Sequence, residues 1–257
     1  HLLVKGLLSA SQIEAQIASI DETLAAARAW KPGKAGSDVT RGSDVDRPIR
    51  FAPFVPSARF GLAGVPAQRM RKRLSGRGAV WMADAPAGLA SYVELLDQVG
   101  LARLLGEYLG GPPEISVKKS IFRRVPAPSP MPGGWHQDGA FMGTGMRTLN
   151  VWMALTSCSN GVPGMDIVPT RIGHVVPTGT PGAEFDWSVA PDRVEAVCGN
   201  GVEVVRPAFE AGDAVLFDEV MLHRTAGGPE MDQPRYAIES WFFAPGACPE
   251  DQIPFAL

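Results

Sequence analysis

The chain has 257 residues, 45% of them hydrophobic and 20% charged, with a formal net charge of −3. These values describe an ordinary globular chain with a sizeable core, and they exclude the basic excess that nucleic-acid backbones demand. Three cysteines, Cys158, Cys198 and Cys248, form no CxxC pair, so neither a disulfide framework nor a zinc knuckle is expected. No apolar run of about 18 residues suggests a membrane span and no signal-peptide pattern is evident, so the expected location is a reducing cytoplasm.

Ser9 to Trp30 predicts a helix. Ser9 or Ser11 can cap it, Ile13, Ile17, Ile20 and Leu24 share one face, and Lys31-Pro32-Gly33 stops it. Residues 31–50 are polar and rich in turn formers, which reads as a loop, either a plain connection or a lid over substrate. A second helix is predicted around Pro66–Leu74. The basic cluster Arg69, Arg71, Lys72, Arg73 and Arg77 there reads as a solvated face or as a patch for an anionic partner. A third helix covers Leu89–Leu109, with Leu95, Val99, Ala102, Leu105 and Leu109 as its apolar stripe, and Gly110-Gly111-Pro112-Pro113 ends it.

Beyond residue 113 the texture changes to short apolar runs between Gly and Pro turns. Strands are predicted near Ile115–Val125, Gly134–Asp138, Arg147–Leu155, Gly164–Val168, Val202–Pro207, Ala214–Asp218, Leu222–Thr225 and Tyr236–Phe243. Many short strands suggest a sandwich or barrel, against whose outside the helices of the first half would pack. No internal repeat and no domain boundary stands out.

Of the four histidines, His136 sits in Gly134-Trp135-His136-Gln137-Asp138. On a strand, residues i and i+2 share a face, so His136 and Asp138 can converge on one ion. That pair alone is a weak signal. Ala214-Val215-Leu216-Phe217, a buried strand by composition, leads to His223. Two histidines and one carboxylate leave positions open and suit Fe(II), whereas structural zinc is enclosed by four ligands. Arg235 follows on an apolar strand, and its planar fork can hold one end of a dicarboxylate whose other end chelates the ion. Thr225 shares the face of His223 and could donate a hydroxyl to the same carboxylate. The competing reading makes these histidines satisfied core residues.

Trp135-His136-Gln137-Asp138-Gly139, the following Leu149-Asn150-Val151-Trp152-Met153-Ala154-Leu155, the run from Asn160 through Pro169 to His174, and His223 with Arg235 resemble the phytanoyl-CoA dioxygenase (PhyH-like) family of Fe(II)/2-oxoglutarate-dependent oxygenases. Even Val4-Lys5-Gly6-Leu7-Leu8-Ser9 is similar to a family opening. The resemblance implies a mainly β fold with flanking helices around a double-stranded β-helix, a cupin-like jelly roll. Residues 1–113 would form a helical flank with loops, 114–245 the jelly-roll core and 246–257 a tail, all in one oxygenase domain.

The resemblance also implies metal ligation by His136, Asp138 and His223, the catalytic centre. It implies that Arg235 binds the far carboxylate of 2-oxoglutarate, with Thr225, Trp152 and Asn150 around it, and that 2-oxoglutarate and O2 become succinate and CO2 as a small organic substrate is hydroxylated. Asp138 disfavours halogenation, since related halogenases carry a small residue there. Desaturation, epimerisation and ring formation share the same iron face.

His174 is expected to be structural. The turn Thr170-Arg171-Ile172-Gly173-His174 departs from the family's Gly-Ser-His ending, and no coenzyme A site is recognisable. Candidate substrate-lining residues are Trp135, Phe141, Met142, Met146, Met165, Trp187, Met221 and Trp241, each of which could equally be core. A small-molecule substrate is the expected partner, with no nucleic acid, membrane or obligate protein partner implied. The alternative is a non-catalytic or differently metallated cupin-like binding protein, or a cupin-type hydrolase or isomerase.

Overall fold

The computed structural model describes residues 1–30, 51–57, 74–143, 145–159, 161–199 and 203–257. The loop predicted over 31–50, most of the helix predicted at Pro66–Leu74 and the basic cluster apart from Arg77 lie outside the described residues. Arg77 itself is exposed.

Strand β1 (Leu2–Val4) precedes helix α1 (Ala10–Ala29). Ser9 caps α1 through a capping box, in which its hydroxyl accepts from the Gln12 N–H and the Gln12 side chain accepts from the Ser9 N–H. Strand β2 (Ala79–Trp81) leads to α2 (Pro86–Gln98) and α3 (Leu101–Leu109). The single helix predicted over Leu89–Leu109 is thus two. Gly100 takes a left-handed backbone (φ 71°) between them, a conformation that glycine adopts without steric penalty, and no apolar periodicity reports that break.

The remaining elements are β3 (Glu114–Ser116), β4 (Ile121–Val125), the short turn α4 (Gly139–Met142), β5 (Thr148–Ala154), β6 (Met165–Ile167), α5 (Pro191–Cys198), β7 (Ala214–Phe217), β8 (His223–Thr225), β9 (Arg235–Phe243) and β10 (Pro254–Ala256). The long strand predicted at Ile115–Val125 is split by a turn at residues 117–119. Within Gly134–Asp138 only His136 makes a bridge, and among the described residues of the predicted Val202–Pro207 strand only Val205 does. The predicted tail supplies β10, which pairs with β3.

The large antiparallel sheet runs β1-β7-β5-β9-β3-β10, with β4 also paired to β9 and β2 to β4. The small sheet β6–β8 completes the two-sheet jelly roll expected from the sequence. Strand alternation divides β5 between two environments. Leu149, Val151 and Met153 pack with Ile20 and Leu24 of α1, Leu95 and Leu96 of α2 and Leu105 of α3. Trp152 and Ala154 point the other way and pack with Met165, Ile167, Phe209, Val215 and Phe217. Each fully buried aliphatic or aromatic side chain contributes about 1.5–3 kcal/mol, so the helix-covered face is the main source of stability.

Candidate metal centre and cavity

His136 and His223 are direct antiparallel partners. The His136 N–H donates to the His223 carbonyl at 2.9 Å and the His223 N–H returns to the His136 carbonyl at 3.0 Å. Their rings lie 4.3 Å apart, centroid to centroid. After His136 the chain leaves extended geometry, and Asp138 has helical backbone angles at the start of α4. Convergence of His136 and Asp138 is therefore achieved by a strand entering a helical turn, not by strand alternation as the sequence suggested. Between them Gln137 faces the opposite way and pins the segment. Its amide donates to the carbonyls of His174 (3.0 Å) and Val220 (2.7 Å), and its oxygen accepts from the Val176 N–H (2.7 Å).

One ligand-type atom from each of His136, Asp138 and His223 lies within 4.8 Å of the others. Each ring is oriented by its far nitrogen. His136 Nδ1 sits 2.9 Å from the Gly134 carbonyl and His223 Nδ1 3.0 Å from the Met221 carbonyl. A carbonyl only accepts, so Nδ1 carries the proton and the Nε2 lone pair is left for an ion. Gly134 has no room for a side chain, since a Cβ there would meet Ser188 Cβ at 2.6 Å. Asn150 donates its amide to Asp138 Oδ2, whereas Asp138 Oδ1 is buried with no hydrogen-bond partner.

Burial pushes the Asp138 carboxyl up to about 7, despite the favourable field of His136. Burial, then the neighbouring His223, drives His136 down to about 4. His223 is likewise lowered by burial. Three donor groups thus converge in a space where protons are unwelcome on the imidazoles and an uncompensated carboxylate is costly. A divalent cation would relieve both conditions, because it binds neutral imidazole and ionised carboxylate. The residues present fit such an ion.

The triad opens onto a cavity of about 450 Å³. Arg235, Glu239 and Trp241 line it from alternate positions of β9, Ile121 and Arg123 from β4, Trp152 from β5, and Met165, Thr225 and Arg224 from the small sheet. Arg235 is only 2% exposed and stands over the Trp152 ring, 5.4 Å from its centroid. One guanidinium nitrogen donates to the carbonyls of Pro163 and Gly164, both at 3.0 Å, while Nε has no partner. Among the described residues Arg235 forms no ion pair, and burial draws its guanidinium down to about 10. A buried cation facing a cavity without a counter-anion is costly in the free protein and ready for an anionic ligand.

The structure brings His136, Asp138, His223, Arg235, Thr225 and Trp152 together on this cavity. Asn150 sits behind the wall, holding Asp138. Of the predicted substrate-lining residues, Phe141, Met165, Trp187 and Trp241 do line it. Trp135, Met142, Met146 and Met221 do not. Trp135 is the immediate neighbour of His136 and so faces away, into a core with Val168, Val176 and Leu222. Met142 is buried against Trp241 and Phe243 with Met146 beside it, and Met221 is buried near Trp152. His174 is exposed and does not line the cavity. Lys119, Arg123 and Glu239 were not anticipated. Glu239 had a signal, the period of two from Arg235 to Trp241.

No family model and no curated protein matches the sequence. Solved structures do match. The epimerase SnoN in complex with Fe3+, alpha ketoglutarate and nogalamycin RO is 17% identical, with a TM-score of 0.59 over 94% of this chain and 78% of that one. EctD from S. alaskensis with 2-oxoglutarate and 5-hydroxyectoine is 15% identical, with a TM-score of 0.60 over 95% and 71%. EvdO2 from Micromonospora carbonacea var. aurantiaca complexed with 2-oxoglutarate is 18% identical, with a TM-score of 0.54 over 99% and 87%. Among the described residues no helix is long and apolar enough to cross a membrane. Over nearly its whole length, then, this chain has the fold of these 2-oxoglutarate-binding proteins.

Proposed function

We propose that the chain is a non-haem Fe(II) oxygenase that uses 2-oxoglutarate and O2 to hydroxylate a small organic substrate, in the manner of the phytanoyl-CoA dioxygenase-like enzymes. The observation that carries this reading is the pairing of two features in one cavity. Three ligand atoms converge with the ring orientations fixed, and a buried arginine faces the same space with no ion pair among the described residues. Neighbours of the same fold bind Fe3+ and 2-oxoglutarate by name, which supports the choice of ion and cosubstrate.

When bound, iron with 2-oxoglutarate supplies oxygen activation coupled to decarboxylation, giving succinate and CO2. His136 and His223 would hold the ion through Nε2 and Asp138 through Oδ1, with Asn150 keeping the other carboxylate oxygen turned away. Arg235 would receive the remote carboxylate of the cosubstrate bidentately, with the Thr225 hydroxyl at the same end and the Trp152 ring as a floor. Phe141 and Trp187, whose rings stand 6.0 Å and 5.4 Å from the His136 ring, would form an apolar wall beside the ion. With iron bound, Asp138 would supply a carboxylate ligand where a halogenase would need room for halide, which is why hydroxylation is proposed over halogenation.

Anaerobic titration of the metal-free protein with Fe(II) and then 2-oxoglutarate tests the reading. The expected result is the weak visible charge-transfer band of a chelated 2-oxo acid, lost in His136→Ala together with succinate formation, while that variant keeps its fold by circular dichroism. Absence of the band, with Fe(II) unbound, would reject the oxygenase in favour of a binding protein on the same fold.

A further inference from the structure

The cations of the cavity differ in how they are satisfied. Arg123 pairs with Glu239 at 3.4 Å and Arg224 with the buried Asp166 at 3.0 Å. Arg235 forms no ion pair among the described residues, and the proposed function assigns its anion to the cosubstrate. One more cation remains. Lys119 follows directly on Lys118, which is paired with Asp251 at 3.0 Å. Lys119 itself turns into the cavity and forms no ion pair among the described residues.

Its ammonium lies over two aromatic faces, 5.1 Å from the Phe141 centroid and 5.9 Å from that of Trp241. Those two rings stack at 6.1 Å with 22° between their planes, and Trp187 stands 6.0 Å from Phe141. A half-buried ammonium held by ring faces keeps its charge positioned without a counter-ion. Burial, then the charge of Lys118, draws its pKa below the ordinary lysine value against the opposing pull of the Asp138, Asp251 and Glu239 carboxylates, none of which forms an ion pair with it, and an incoming anion would offset that cost.

Building on the iron and 2-oxoglutarate reading, we propose that Lys119 is the substrate-specificity residue, and that the substrate is a carboxylate bearing a flat apolar body. The carboxylate would meet Lys119 Nζ, and the flat body would lie along Phe141, Trp187 and Trp241. The cavity volume of about 450 Å³ is toward the small end of ligand sites, about 300–1,000 Å³. It is shared with the cosubstrate, so the part of the substrate held beside Lys119 is about the size of one or two rings.

The test uses 2-naphthoate and its neutral counterpart 2-naphthamide. Binding is read by quenching of tryptophan fluorescence, in metal-free protein and again in anaerobic protein carrying Fe(II) and 2-oxoglutarate. The expected result is that 2-naphthoate binds about tenfold or more tightly than 2-naphthamide. Lys119→Met removes that preference while leaving 2-naphthamide binding and the chelate band as they were, and Lys119→Arg retains it. Equal binding of the two compounds, no binding of either, or an equal loss of both in Lys119→Met overturns the proposal. So does a Lys119→Met protein whose only defect is a raised 2-oxoglutarate requirement, which would make Lys119 a cosubstrate residue. A missing chelate band alongside intact naphthoate selectivity would remove the iron reading and leave the anion site standing.

Discussion

The two faces of the large sheet are built from the same strands and do opposite work. Toward the helices, Phe122, Leu149, Val151, Met153, Ile238 and Phe242 form a continuous apolar layer. Toward the cavity, the adjacent positions on those strands hold Arg123, Asn150, Trp152, Glu239 and Trp241. A period of two makes this possible, because a single strand can give one set of side chains to burial and the other to chemistry. The lesson is an expected division of consequences. Changes on the helix-covered face should alter stability and spare ligand binding, and changes on the cavity face should do the reverse.

Arg235→Met should show the largest effect on the cavity side. The requirement for 2-oxoglutarate in the chelate titration should rise tenfold or more, from loss of a bidentate charge-assisted pair contributing about 1.5–3 kcal/mol. The thermal midpoint should hold or rise, since a buried cation with no ion pair among the described residues is removed. A collapse of the fold with unchanged cosubstrate affinity would break the division of faces.

Leu105→Ala probes the other side. Leu105 is fully buried among the helices and the sheet, and the cavity left should cost about 2–5 kcal/mol in denaturant unfolding. Under native conditions the chelate band should be unchanged. A smaller cost is expected for Tyr92→Phe. The Tyr92 hydroxyl lies 2.6 Å from Ser240 Oγ in a buried setting that pushes its pKa well above the usual tyrosine value. Ser240 keeps a second partner in the Val151 carbonyl at 3.2 Å, so the loss should be about 1 kcal/mol.

Asp213 gives the mildest test. Burial alone would raise its carboxyl, but Lys5 Nζ (2.7 Å) and the N–H groups of Gly6 (2.9 Å) and Glu210 (2.8 Å) hold it below the ordinary aspartate value. A depressed folded-state pKa gives stability that is present above the unfolded value and is lost as pH falls through the folded one. Acid unfolding of Asp213→Asn should therefore be less steep below about pH 4 than that of the parent, with the cavity unaffected. Identical acid profiles would mean that the contacts tying β1 to the turn before β7 contribute nothing.

The legible parts of the molecule were those carried by local pattern or by residue chemistry. Helix α1 was readable from its cap and stripe, and β5 and β9 from apolar composition. His136, Asp138 and His223 were readable because few residue types ligate a metal and only four histidines were available. The aromatic wall was read only in part. Trp135, Trp187 and Trp241 look alike in sequence, yet one is turned into a core and two face the cavity, and orientation of a side chain next to an irregular turn has no local signature. Lys119 was missed for the same reason. It sits on a turn that divides a run expected to be a single strand, beside a second lysine of identical type.

The amino-acid sequence by itself determined which chemistry was available: two imidazoles, a carboxylate and an arginine of suitable type and order, within strands whose composition calls for a β fold. Those are properties of residue identity and of short-range periodicity, which survive without any knowledge of contacts. Only the tertiary structure decided that His136 and His223, 87 positions apart (223 − 136), are hydrogen-bonded partners across two strands. It also decided that Arg123 and Glu239 neutralise one another while Lys119 and Arg235 form no ion pair among the described residues. Pairing between distant strands, and the burial that assigns each charge its partner, depend on closure of the whole sheet around the cavity, and no local stretch of chain encodes that closure.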